Sequence, residues 1–273
     1  MKSDGHVHTP YCPHGTDHSI EQYIMRALSL NLSEISFTEH APLPVGFEDP
    51  TPQQDSAMKP SQLEEYIATI STLKEKYKSE IKINIGLEVD YIQGFESETK
   101  EFLNTYGAVL DDSILSVHFL LNDGAYHCLD YSPEMFHTII QTIGSIEKVY
   151  QQYYETVYQS VTADLGEYKP TRIGHITLVK KFQKKFPCQL TFSDEIVELL
   201  SIVKKEKMQL DYNGAGVNKP LCKEPYPSDW IILEAIKQGI PLVYGSDAHS
   251  VKDLGQGYSH IICKDYLNSP TSI

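Results

Sequence analysis

The chain has 273 residues, 41 % of them hydrophobic, and a formal net charge of −14. That length suits one α/β barrel as well as two smaller domains, and the apolar fraction suffices for a sizeable core. With 37 acidic residues against 23 Lys and Arg, a nucleic-acid partner is not expected, and no apolar run approaches the roughly 18 residues of a membrane span.

Residues 2–7 read as a first strand, and their polar start carries no secretory apolar segment. Residues 19–30 read as a helix, with Ile20, Tyr23, Ile24, Ala27 and Leu28 on one face and a capping box of Ser19 with Gln22. A short strand at 34–37 leads into a Pro-, Asp- and Gln-rich loop over 41–60, long enough to be functional. A second helix spans 61–78, with Ser61 and Glu64 as its capping box and Leu63, Ile67, Ile70 and Leu73 as its buried stripe. Strand 81–87 precedes a helix ending near Tyr106, and strand 113–117 precedes a tyrosine-rich helical stretch over 133–161. Strands at 171–174, 208–212 and 241–244 alternate with helices at 192–205 and 228–237. Strict alternation implies a parallel sheet, and seven such units in about 250 residues imply one barrel-like domain over residues 1–273.

The ionisable residues cluster where each strand ends. His6 and His8 end the first strand, with His14 beyond; Glu39 and His40 end the second; Glu88 ends the third, with Asp90 beyond. His118, His175 and Asn213 follow the next three, and Asp247 and His249 follow the last. Ligands in parallel α/β folds bind at the carboxyl ends of strands. Taken singly, each residue reads as a solvated carboxylate or a hydrogen-bonded histidine; their shared placement points to a metal centre. His18, His127, His137 and His260 lack that placement and read as ordinary.

The spacings support this reading. His6-x-His8 puts two imidazoles on one strand face about 7 Å apart, close enough to share an ion. Asp247-x-His249 repeats the spacing. Imidazole and carboxylate donors suit divalent Zn, Fe or Mn. Cys12 reads as packing. Cys12, Cys128, Cys188, Cys222 and Cys263 form no CxxC pair and read as reduced thiols of a cytoplasmic protein. Lys180, Lys181, Lys184 and Lys185 read as a solvated helix face, as do Lys204, Lys205 and Lys207.

Several motifs together resemble the polymerase and histidinol phosphatase (PHP) superfamily: His6-x-His8, Cys12-Pro13-His14-Gly15, Thr38-Glu39-His40, Gly86-Leu87-Glu88, Val117-His118, Gly174-His175 and Ser246-Asp247-Ala248-His249. Within it the chain is similar to the monofunctional histidinol-phosphatases of histidine biosynthesis. The resemblance implies a distorted seven-stranded (β/α)7 TIM-like barrel binding two to three divalent ions. It implies a first metal on His6, His8, Glu88 and Asp247, a second on Glu88, His118 and His175, and a third on His14, His40 and His249. Glu88 would bridge the first two. Glu39, where many members have Asp, is placed behind the ligands as an orienting residue.

The same resemblance implies hydrolysis of L-histidinol phosphate, with a metal-bridging hydroxide attacking phosphorus in line. The partner is then a small phosphate monoester, with no nucleic acid and no membrane. Glu88 and Asp247 are the expected catalytic residues, together with Arg172, which stands three residues before His175 and offers a guanidinium fork for phosphate. Lys219 is a second phosphate candidate. Asp90, Tyr91, Tyr126 and Asp130 are candidates for the substrate's amine and imidazole. Two competing readings remain. One is a phosphoesterase acting on nucleotides or nucleic-acid 3′ ends, which the acidic balance and lack of an appended nucleic-acid module disfavour. The other is a catalytically silent metal-binding domain, which the filled ligand positions disfavour.

Overall fold

Short buried strands alternate with amphipathic helices in the computed structural model, which describes residues 1–271. The chain opens with β1 (Ser3–Val7), α1 (Ile20–Ser29), β2 (Glu34–His40), α2 (Leu63–Tyr77), β3 (Lys82–Asp90), α3 (Glu96–Tyr106) and β4 (Asp112–Ser116). A hairpin of β5 (Phe119–Asn122) and β6 (Ala125–Cys128) follows, then α4 (Pro133–Ile143), α5 (Ile146–Thr162), β7 (Arg172–Ile173) and α6 (Ser193–Lys205). The chain continues with β8 (Gln209–Asn213), α7 (Ala215–Asn218), α8 (Asp229–Gln238), β9 (Leu242–Gly245) and β10 (Leu267–Asn268). No described helix is long and apolar enough to cross a membrane.

All strands except the hairpin form one parallel sheet in the order β1-β2-β3-β4-β7-β8-β9-β10. Strands β1, β2 and β8 are buried along their whole length, the expected result when a parallel sheet is covered on both faces. The sheet curls until its first strand meets β9. His8 N–H donates to the Ala248 carbonyl at 3.0 Å, and Asp247 N–H donates to the His6 carbonyl at 2.8 Å. The sheet has eight strands rather than the seven read from the sequence. The extra one, β10, is two residues long and pairs with Leu242 and Val243 at the start of β9. A two-residue strand carries no periodicity to detect.

Two other local expectations change, and a hairpin appears where no element was read. Helix α2 begins at Leu63 after a 3₁₀ turn over Pro60–Gln62; the bond closing this end runs from Lys59 N–H to Gln62 Oε1 at 3.2 Å, not between Ser61 and Glu64. The stretch read as one helix over 133–161 is two. Gly144, at φ 104, ends α4 in the left-handed region open to glycine, and Ser145 Oγ caps α5 by accepting the Lys148 N–H. Finally, Asp123 and Gly124 both take positive φ and close the hairpin tightly. Phe119 and Tyr126 of this hairpin pack on Phe47, at centroid distances of 5.1 and 4.9 Å, and so anchor the loop over 41–60.

Candidate metal centre

Because the strands are parallel, their carboxyl ends lie together, and Glu88 of β3 is the hub there. Its Oε2 lies 3.2 Å from His6 Nε2, 3.4 Å from His8 Nε2 and 3.3 Å from His40 Nδ1. Its Oε1 lies 2.9 Å from His175 Nε2 and 3.8 Å from His118 Nε2. Asp247, just past β9, places Oδ1 3.2 Å from His8 Nε2, 3.9 Å from His6 Nε2 and 3.5 Å from His249 Nδ1. Four groups hold one donor atom per residue within 4.8 Å of all the others: His6, His8 and Asp247; Glu88, His118 and His175; His40, Asp90 and His118; and His8, Cys12, His40 and His249. His14 stays at the exposed rim, its ring 5.4 Å from that of His40 and 5.2 Å from that of His249. Its Nδ1 lies 3.1 Å from the Asp55 carbonyl oxygen.

A second layer of acids fixes the rings. Asp211 Oδ2 lies 2.8 Å from His6 Nδ1, Glu39 Oε1 3.1 Å from His8 Nδ1, and Asp90 Oδ1 2.7 Å from His118 Nδ1. Glu39 is itself held by the Thr9 N–H and hydroxyl. Asn213 Nδ2 donates to both Asp211 and Asp247, at 3.1 and 3.2 Å. The outer nitrogens of His6 and His8 being engaged, their Nε2 atoms face inward. These two, with His40 Nδ1, are buried and contact carboxylate oxygens without forming a hydrogen bond to them. Buried nitrogens that touch carboxylates without a formed hydrogen bond leave the centre incomplete as protein alone. Inward imidazole nitrogens around shared carboxylates, each ring backed by an acid, fit a divalent cation. Close packing demands glycine beside it: a Cβ on Gly245 would meet His6 Cβ at 2.5 Å, and one on Gly174 would strike Ser116 Oγ, which donates to Glu88.

The electrostatics point the same way. Burial opposes a proton on His8, but the Asp247 and Glu39 carboxylates outweigh it and raise its pKa to about 9. His118 rises to about 10, Asp90 outweighing burial. Burial would push Glu88 and Asp247 up, yet His6 and the neighbouring imidazoles hold both well below the carboxylate range. His40 and His249, buried beside the charged His8, are held well below the usual histidine value. The acids thus demand positive charge, which a cation supplies in place of protons.

Above the cluster opens a cavity of about 410 Å³ lined by His14, His40, Asp55, Asp130, Lys181 and Lys219, among others. Arg172 is not among its lining residues, which corrects the expectation that it grips phosphate. The guanidinium is 1 % exposed, and its Nη2 donates to Asp112 Oδ2 and to the Gly5 carbonyl, both at 2.7 Å. Three residues of extended chain separate Arg172 from His175 by roughly 10 Å, which puts Arg172 at the start of β7 and His175 beyond its carboxyl end. Lys181, read as part of a solvated face, instead lines the cavity and pairs with Asp130 Oδ2 at 2.8 Å. Sequence reasoning also missed Asp211; its two-residue spacing from Asn213 on one strand was the available signal.

A curled parallel sheet carrying a histidine–carboxylate cluster at its carboxyl ends is what the PHP domain presents. The family model of that domain matches residues 4–215, and the chain belongs to this family. It is 51 % identical over 262 residues to the histidinol-phosphatase of Bacillus subtilis (strain 168), covering 94 % of this chain and 97 % of that one. A crystal structure from Listeria monocytogenes, of a protein proposed to be a histidinol phosphatase, superposes with a TM-score of 0.89 at 42 % identity, covering 95 % of this chain and 99 % of that one. The histidinol phosphate phosphatase of Lactococcus lactis, crystallised with zinc, L-histidinol and phosphate, has the same fold at a TM-score of 0.68 and 21 % identity, with 92 % and 87 % coverage.

Proposed function

We propose that the chain hydrolyses L-histidinol phosphate to L-histidinol and inorganic phosphate, using two to three divalent ions, Zn, Fe or Mn. The observation that carries this is one buried carboxylate, Glu88, within 4 Å of five imidazoles at the floor of an open cavity. The name of the Bacillus relative supplies the substrate, and the ligands crystallised with the Lactococcus protein agree with it. In this reading residues 1–273 form one domain, a distorted seven-stranded (β/α)7 barrel to which β10 is added.

His6, His8, Glu88 and Asp247 would hold one ion, Glu88, His118 and His175 another, and His14, His40 and His249 a third. Bound ions supply Lewis acidity toward a phosphoryl oxygen and activate water at neutral pH. The chain does the rest. Asp211, Glu39 and Asp90 keep each ring's inner nitrogen turned to the centre. Lys219, a phosphate candidate from the sequence, and Lys181, paired with Asp130, line the cavity and would meet a phosphate there in place of Arg172. Asp55, which also lines the cavity, suits the cationic amine of the substrate. The direct test is phosphate release from L-histidinol phosphate against a sugar phosphate, a nucleotide and a 3′-phosphorylated oligonucleotide. A higher kcat/KM on any of the last three overturns the substrate assignment.

A further inference from the structure

The turn that follows β1 brings a sulfur atom to a centre otherwise built of nitrogen and oxygen. Cys12 is 4 % exposed and held by two backbone bonds: its N–H donates to the Thr9 carbonyl, and its carbonyl accepts the Gly15 N–H, both at 3.0 Å. Its sulfur lies within 4.8 Å of a donor nitrogen on each of His8, His40 and His249. Two of these histidines carry a buried nitrogen without a hydrogen bond, His8 Nε2 and His40 Nδ1. His8 Nε2 also lies 3.4 Å from Glu88 and 3.2 Å from Asp247, and His40 is shared with Asp90 and His118, whereas His249 belongs to no other such group. His14, two residues along the same turn, overhangs both rings from the rim.

We propose that Cys12 is a thiolate ligand of the third metal position, completing with His14, His40 and His249 a set of three nitrogens and one sulfur. The inference rests on reading the cluster as a metal centre. Binding breaks the S–H bond: the proton leaves to solvent and the electron pair on sulfur is donated to the ion. Three imidazoles and a thiolate are a donor set that zinc favours. A soft sulfur ligand makes this position selective for Zn²⁺ or Co²⁺ over Mn²⁺, while the oxygen-rich positions around Glu88 accept all three. The chain would then hold ions of unlike tightness, the sulfur-ligated one lost last to a chelator.

The test uses the full chain with cobalt(II) added in steps to metal-free protein. Cobalt bound to thiolate gives an intense near-ultraviolet charge-transfer band, whereas nitrogen and oxygen ligands give only weak visible bands. The expected result is a charge-transfer band in the wild type that is absent in Cys12→Ser. The variant should still bind cobalt at the other positions and should hold its tightest ion at least about tenfold more weakly. X-ray absorption of the zinc-loaded wild type tests the same claim without a variant, by a sulfur neighbour at about 2.3 Å. Visible bands and bound cobalt, with no charge-transfer band and no sulfur neighbour, overturn the thiolate and leave the nitrogen–oxygen centre standing. A band that survives Cys12→Ser assigns the sulfur elsewhere and also overturns it. No bound cobalt at all sinks both the thiolate and the metal centre.

Discussion

At the amino ends of the strands, buried charges meet opposite charges, although Arg172 bonds only through Nη2 and leaves Nε and Nη1 without a hydrogen bond. Arg172 at the start of β7 meets Asp112 at the start of β4. Glu34, the first residue of β2, accepts from Asn84 and Thr271, from the Ser269 hydroxyl and from the Lys82 ammonium. At the carboxyl ends, the buried carboxylates Glu88 and Asp247 pair with imidazoles instead of Arg or Lys. His6 Nε2, His8 Nε2 and His40 Nδ1 form no hydrogen bond, and Glu88 and Asp247 crowd against them. The same parallel sheet thus carries a layer of Arg and Lys ion pairs at one end and a layer of carboxylates facing only imidazoles at the other. The first serves stability, the second chemistry. Substitutions at the two ends should therefore change different observables.

The largest effect is expected at the hub. Glu88→Gln keeps the shape but removes the shared charge, and kcat/KM should fall at least about 1,000-fold with the circular dichroism spectrum unchanged. Retained turnover in that variant would erase the distinction between the two ends. Asp211→Asn leaves every direct donor in place but loosens His6; a loss of about 10–100-fold in activity or metal affinity is expected, read by titrating metal back into apo-protein. Lys219→Ala removes a cavity cation, and kcat/KM should drop about tenfold, with metal content unchanged.

The amino end should respond in stability alone. Arg172→Lys keeps a charge but loses the geometry that reaches both Asp112 and the Gly5 carbonyl; a cost of about 1–3 kcal/mol is expected in denaturant titration, with kinetics near normal. A tenfold kinetic defect at unchanged stability would return Arg172 to the active site. The smallest effect concerns Glu34. Burial raises its pKa, but hydrogen bonds from Ser269, Asn84, Lys82 and Thr271 outweigh this and hold it below the usual 4.5. A carboxyl whose folded pKa is depressed stabilises above its unfolded value, and that contribution fades as pH falls through the folded one. The stability gap between wild type and Glu34→Gln should be full at pH 7 and close in the acid range. A gap independent of pH would mean the carboxylate charge is not what matters there.

The site was more legible in the sequence than the walls around it. Alternation along a strand and the rule of carboxyl-end binding use only local spacing, and they brought His6, His8, His40, Glu88, His118, His175, Asp247 and His249 into one list before any coordinates. The residues missed depend on contacts between distant segments. Asp211 meets His6 across 205 positions, and Lys181 reaches Asp130 from a 3₁₀ turn that looked like a solvated face. Arg172 failed for a simpler reason: nearness in sequence to His175 is distance along a strand, not nearness in space. The hairpin at 119–128 had an Asp-Gly signal at its turn, and the helix break at Gly144-Ser145 had a C-cap glycine followed by an N-cap serine; both could have been read.

The central claim is that the carboxyl-end cluster works only when filled by metal. Stepwise chelation of the purified protein, with metal content and phosphate release from L-histidinol phosphate followed on the same samples, tests it most directly. The expected result is two to three ions per chain at the start, turnover that falls as they leave, and recovery when Zn, Fe or Mn is returned. Full phosphate release from protein holding less than one ion per chain would contradict it.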